Sequence, residues 1–311
     1  MVKLQEINKK QVEEQKVTVL LDWTPNTNHT GLYVAKDKGY YAEEGLEVAI
    51  IQPTGDGTQL VATGKADFAV SAQESVTIAR ASDIPVVSIA AIIQHNTSAF
   101  ASLSESNITT VKDFEGKRYG SWGSPIEKAT IKSAMDDAGA DYEKLINVTI
   151  GETDFFTSIG RDNDFQWVFY GWDGIEAKRR GINLSFIYLK DLNPVLDYYT
   201  PIIITSEKNV TENKELVAKF MRATAKGYEF AISNASESAD ILLKNAPETN
   251  ADLVKLSQEW LSQQYRADAP QWGVQKPEVW KGYADWLYAH ELLEKQIDTT
   301  KAFTNEFLPK R

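Results

Sequence analysis

"VTVLLDWTPNTNHTGLYVAKDKGYY" occupies residues 17–41, and its reading sets the class of fold. Val17 to Asp22 is apolar and partly β-branched, the composition of a buried strand. It empties into Trp23, Pro25, Asn26, Asn28 and His29, and a short helix follows from about Thr30 to Lys38, stopped by Gly39. The same alternation continues. "LEVAIIQP" (46–53) reads as a second strand ended by Pro53. A short helix then runs from Thr58 to a turn at Gly64, with a strand over Phe68 to Ser71, a helix through Arg80 and an apolar strand "PVVSIAAIIQ" (85–94). Strands alternating with helices predict a parallel α/β sheet.

A second series covers about 108–203. "GKRYGSW" is a strand, and "SPIEKATIKSAMDDAGA" is a helix with Ser124 as cap and Pro125 at its first position. "INVTI", "FQWVFY" and "LSFIYL" are further strands, separated by the helices "TDFFTSIG" and "DGIEAKRRG". After "YYTPIIITSE" the chain turns helical to its end, and Leu216, Phe220 and Ala223 share one helix face. One restart predicts two lobes, 17–105 plus 204–311 and 106–203, with crossings near Leu103–Asn107 and Ile203–Ser206. Residues 1–16 form a polar N-terminal segment.

Composition narrows the function. The 311 residues carry a net charge of −11, which opposes binding to nucleic acid, because phosphates need a basic surface. Cysteine is absent, so disulfides, thiol catalysis and cysteine metal sites are excluded together. The three histidines His29, His95 and His290 have no metal-ligand spacing, and no metal or cofactor is expected. No nucleophile elbow or kinase motif is present, and no pair among the 44 acids stands out as general acid and base. The chain is read as a binding protein, not an enzyme.

In open α/β sheets, ligands gather beyond the carboxyl ends of the strands. Those ends offer Trp23, Asn26, Asn28 and His29, then Ser71, Gln73, Glu74 and Ser75. They continue with Ser121, Trp122, Ser124 and Glu127, and with Tyr170, Trp172, Asp173 and Glu176; Tyr198 and Tyr199 lie near the second crossing. Aromatic faces stack on flat ligands, while amides and carboxylates orient them. Lys and Arg are scarce in these loops, unlike in a phosphate or sulfonate site. Plainer roles compete for each residue. Trp23 suits a plug over the core, Asn26 and Asn28 suit turns, Ser124 and Asp173 suit helix caps, and Glu176 suits a first helical turn. If Glu176 does hold ligand, its replacement by Gln weakens binding more than the same change at Glu127. The C-terminal aromatics Trp280, Tyr283 and Trp286 have helical spacing and read as core, with a partner surface as the alternative.

"LDWTPNTNHTGLYVAKDKGYYAEEGLEVAII", "GKADFAVSAQES", "DFEGKRYGSWGSPIE" and "YGWDGIEAKRRGI" resemble the formylaminopyrimidine-binding proteins of ABC importers, which take up thiamin precursors. The likeness covers most of the chain. "GYYAEEGL" and "GKADF" are shared with riboflavin-, sulfonate- and nitrate-type binders. The resemblance implies a two-lobed periplasmic-binding-protein fold of type II with the ligand between the lobes. It implies an aminopyrimidine held by Trp23, Asn26, His29, Ser71, Gln73, Trp122, Tyr170, Trp172, Glu176 and Tyr199, and closure of the lobes on it. A monomer, a permease partner and an extracytoplasmic location with a lipid-anchored precursor are also implied. The thiamin-pyrimidine synthases are related, but their resemblance includes a cysteine-rich motif that this chain lacks. Riboflavin or a sulfonate on the same fold, a synthase-like enzyme, and a hydrolase using acidic residues stay open as alternatives.

Overall fold

The computed structural model describes residues 14–52, 55–151 and 153–310. Pro53 and residues 1–13 of the polar N-terminal segment lie outside the described residues. Two five-stranded sheets are present. The first contains β1 (Gln15–Leu20), β2 (Leu46–Ile51), β3 (Phe68–Ser71), β4 (Val86–Ala91) and β10 (Ile202–Ser206), in the order β2-β1-β3-β10-β4. The second contains β5 (Ser98–Leu103), β6 (Arg118–Ser121), β7 (Ile146–Thr149), β8 (Phe165–Phe169) and β9 (Leu184–Tyr188), in the order β7-β6-β8-β5-β9. Helices pack on both sheets, and the molecule has the two-lobed type II architecture.

Two expectations need correction. The sheets are mixed rather than parallel, because β10 runs antiparallel to β3 and β4, and β5 runs antiparallel to β8 and β9. The first crossing also comes earlier than Leu103–Asn107. "SAFASL" is β5 of the second sheet, so the chain crosses at residues 92–97. Small Ser and Ala residues dominate that strand, and five of its six residues are buried, so neither composition nor alternation marks it. The return crossing is likewise earlier than Ile203–Ser206, which lie within β10, and falls at residues 197–201.

The terminal helices do not all belong to the first lobe. Lys214–Ser233 does, and its Leu216, Phe220 and Ala223 are buried there. Phe220 stacks on Phe68 of β3 at 3.8 Å. Helix Pro277–Ala289 instead spans both lobes. Trp280 joins a cluster with Ile202 and Ile204 of β10, while Tyr283, Trp286 and Leu287 join Phe100 of β5, Phe114 and Leu189. Trp280, Tyr283 and Trp286 are buried, which removes the C-terminal aromatic surface module as a reading.

Helix Thr30–Asp37 lies against helix Lys214–Ser233 where two glycines meet. A Cβ on Gly227 would stand 2.1 Å from the carbonyl oxygen of Gly31, and one on Gly31 would stand 2.3 Å from the Tyr228 ring. The two backbones approach closely only because neither residue has a side chain. Gly227→Ala is therefore expected to destabilise the protein by about 3 kcal/mol, read as a lower urea midpoint at unchanged slope. An unchanged midpoint would show that the helices can separate without cost.

Candidate functional site

The strand directions bring the named loops together. The carboxyl ends of β1, β3 and β4 share one edge of the first sheet, and those of β6, β8 and β9 share one edge of the second. Tyr170 N–H, after β8, donates to the Thr97 carbonyl at 3.1 Å and so extends the β5–β8 ladder by one pair. The turn it opens reaches the first lobe. The Tyr170 ring lies 5.0 Å from Trp260 on helix Ala251–Leu261, and Trp172 packs against the core of the first lobe.

The first loop explains its own odd composition. Asn26 caps the turn Thr27–His29 by accepting from Asn28 N–H at 2.8 Å, and it donates its own N–H to His29 Nδ1 at 3.2 Å. Because Nδ1 accepts, the ring proton sits on Nε2, which donates to Asp22 at 2.6 Å. His29 is fully buried, and both of its nitrogens are engaged. It was expected to face the ligand; here it braces the loop instead. With the loop fixed from beneath, Trp23 stands 52 % exposed at the end of β1.

Glu127 does the same for the second lobe. Its carboxylate accepts from the backbone N–H groups of Trp122 at 3.1 Å and Ser124 at 3.0 Å, and from the hydroxyls of Tyr119 at 2.6 Å and Ser121 at 3.4 Å. Ser124 is the helix cap, and Pro125 follows it, as the sequence predicts. Trp122 is thereby held 42 % exposed beyond β6, with its ring 5.8 Å from Trp167.

Residues Tyr170–Gly174 form one π-helical turn before helix Ile175–Arg180. A Cβ on Gly174 would meet the Tyr170 ring at 2.5 Å, and one on Gly171 would meet Trp260 at 3.1 Å. The glycines of "GWDG" thus let Tyr170 fold back among Phe186, Tyr188 and Trp260. Ser257 donates to the Gly171 carbonyl and accepts from Thr27 Oγ1, 2.6 Å away, so one hydroxyl links the first loop to the second lobe. Asp173 accepts from Phe169 N–H at 3.2 Å, and burial pushes its carboxyl up to about 6, with Asp154 adding to the effect.

Three further expected contacts have other work. Gln73 is fully buried; it accepts from Tyr199 N–H at 2.8 Å and donates to the Val279 carbonyl at 3.2 Å. Tyr199 is buried too, and its hydroxyl accepts from Lys276 N–H at 3.0 Å. Glu176 is paired with Arg179 at 2.6 Å and Arg180 at 2.5 Å, and Arg179 above all holds its carboxyl below the usual range. Ser71 sits at the end of β3, 3.4 Å from the Thr58 hydroxyl. Glu74, in the next helix, accepts from the Tyr198 hydroxyl at 3.0 Å, and its carboxyl is raised by burial. Sequence reading missed Ser257 and Trp260. Their spacing of three places them on one helix face, but "LSQEWL" carries no strand-end signal. Among the described residues, no three His, Cys, Asp or Glu side chains are grouped to hold a metal ion.

The chain matches the family model described as NMT1/THI5 like over residues 26–238. It is 34% identical over 304 residues to the formylaminopyrimidine-binding protein of Halalkalibacterium halodurans, covering 94% of this chain and 90% of the relative. It is 26% identical to the 4-amino-5-hydroxymethyl-2-methylpyrimidine phosphate synthase of Legionella pneumophila, covering 95% of this chain and 93% of that protein. The alkanesulfonate-binding protein SsuA of Xanthomonas axonopodis pv. citri, solved with MOPS, superposes with a TM-score of 0.70 at 14% identity, covering 94% of this chain and 99% of that one. At that identity the likeness is one of fold.

For stability, as distinct from ligand binding, the hydrogen bonding gives Glu127 more to lose than Glu176. Glu127→Gln places an amide N–H against a backbone N–H, and is expected to cost about 2 kcal/mol in chemical denaturation. Glu176→Gln loosens only partly exposed ion pairs along one helix, and is expected to cost less than about 1 kcal/mol. Equal losses would mean that Glu127 does not hold the Trp122 loop.

Proposed function

Because this chain belongs to the NMT1/THI5-like family and has the periplasmic-binding-protein fold, we propose that it is the solute-binding component of an ABC importer. We propose that it works outside the membrane and takes a planar aminopyrimidine of the thiamin-precursor type. The observation that carries this reading is the pair of exposed indoles, Trp23 and Trp122, at the strand ends of separate sheets. Exposing a Trp forfeits burial energy, and stacking on a flat ring recovers it with roughly 0.5 to 1.5 kcal/mol more. Tyr170 and Trp172 complete the aromatic set, with Ser71 at the end of β3 as a polar contact, while Asn26 caps the first loop. His29, Gln73, Tyr199 and Glu176 act from behind, as braces of the loops.

Acids supply the charge near this site. Asp22, Glu74 and Asp173 lie in or next to the strand-end loops, in which Lys and Arg are scarce. Arg179 and Arg180 are occupied by Glu176. Such a site suits exocyclic amines and ring N–H donors, and it repels sulfonates and phosphates. Binding would favour the closed lobes, since a ligand that touches both is fully held only when they meet. Delivery would fall to the importer's permease. The synthase reading would need its cysteine-rich motif, and the chain has no cysteine.

Calorimetric titration tests the reading. Formylaminopyrimidine is expected to bind at micromolar affinity or tighter, and an alkanesulfonate is not. Trp122→Ala is expected to weaken pyrimidine binding by about tenfold to a hundredfold while the fold is retained. A failure to bind at micromolar concentrations would remove the ligand assignment. Conversion of the pyrimidine, followed by mass spectrometry, would move the protein to the enzymes.

A further inference from the structure

The hinge between the lobes contains a titratable cluster that the ligand site does not use. His95 lies in the first crossing, Asp197 in the second, and Asp268 in the connection from helix Ala251–Leu261 to helix Pro277–Ala289. His95 Nδ1 is 2.6 Å from Asp197 Oδ2, and His95 Nε2 is 3.0 Å from Asp268 Oδ1. Carboxylates only accept, so both contacts are hydrogen bonds only when both ring nitrogens carry protons. A neutral ring would turn a lone pair toward one carboxylate. The cluster is anchored on each side. Asp197 Oδ1 accepts from Asn96 N–H at 2.8 Å, and Asn96 Nδ2 donates to the Leu196 carbonyl at 2.8 Å. Thr97, two residues on from His95, accepts from Tyr170 N–H, so the cluster connects directly to the candidate site.

We propose that His95 is a positioning residue that, as an imidazolium, pins the two crossings and the Asp268 connection together, so that lobe closure weakens when it loses its proton. The groups facing it are Asp197 and Asp268. Lys276 also acts on Asp268, and the Tyr199 phenol lies within reach of both aspartates. Asp197 raises His95 above its ordinary value of 6.5, Asp268 adds to this, and His95 in turn holds Asp268 below the carboxylate range. A raised histidine contributes its full stabilisation below the unfolded value, and that contribution is lost as pH rises through the folded one. The clamp is therefore fully made below the ordinary value of 6.5 and is lost as pH rises through the raised one.

The test compares wild type, His95→Gln and Asp268→Asn from about pH 5.5 to about pH 9.5. The first readout is melting temperature without ligand. Wild type is expected to melt above His95→Gln at the acidic end, with the two converging as pH rises. In Asp268→Asn, whose substituted side chain is 67% exposed in wild type, the convergence is expected at lower pH. A constant offset across the range would overturn the proposal, because simple packing at position 95 has no pH dependence. The second readout is affinity for formylaminopyrimidine, taken as the ratio of wild type to His95→Gln at each pH so that titration of the ligand cancels. It rests on the ligand reading above. The advantage of wild type is expected to fall by roughly fivefold from the acidic to the alkaline end. A flat ratio would overturn the coupling of His95 to closure. If no variant binds the pyrimidine, the ligand assignment fails separately, and the melting series alone decides the clamp.

Discussion

Each sheet is completed by a strand that arrives from the other lobe. β5 follows β4 across the first crossing and inserts between β8 and β9; β10 follows β9 back and inserts between β3 and β4. Both insertions are antiparallel and interior, so neither crossing can come away without stripping hydrogen bonds from two neighbouring strands. The lobes are therefore distinct in packing and inseparable in connectivity. Relative movement has to be absorbed in residues 92–97 and 197–201, where Asn96, Asp197 and His95 are bonded to one another.

That connectivity sets where the site can be. β1, β3 and β4 end at one edge and β6, β8 and β9 at another, and the loops after β1 and β8 both meet helix Ala251–Leu261. A small number of polar groups then fixes the arrangement. Ser257 links the Thr27 hydroxyl of the first loop to the Gly171 carbonyl of the second lobe, while His29 and Glu127 consume the backbone and side-chain donors beneath Trp23 and Trp122. Both groups are buried and hydrogen-bonded within the loops that carry the indoles. Buried, fully satisfied polar groups of this kind hold a loop in one conformation, because breaking any one bond strands a donor or acceptor out of water.

The electrostatics point the same way. Asp173 is raised by its burial, and Glu74 sits near the Glu127 carboxylate across the lobe junction, which adds to the effect of its own burial. Carboxyls gathered where cations are already paired make a poor receptor for anions. The sulfonate-binding protein that superposes on this chain shares the scaffold at 14% identity, and fold and ligand are set by different residues.

The sequence by itself determined the alternation of strands and helices, the two lobes, the family and the loops at which Trp23, Trp122, Tyr170 and Trp172 appear. Those are local signals, carried by apolar runs, caps and short motifs. Only the tertiary structure decided which side chains of those loops are free. His29, Gln73, Tyr199 and Glu176 have the chemistry of ligand contacts, but partners in the same loop, far away in sequence or one turn along a helix take up their polar atoms. β5 and the role of Ser257 were hidden for the same reason. A strand of small buried residues has no period to detect, and a serine in a helix becomes a link between lobes only when packing sets Thr27 and Gly171 on either side of it.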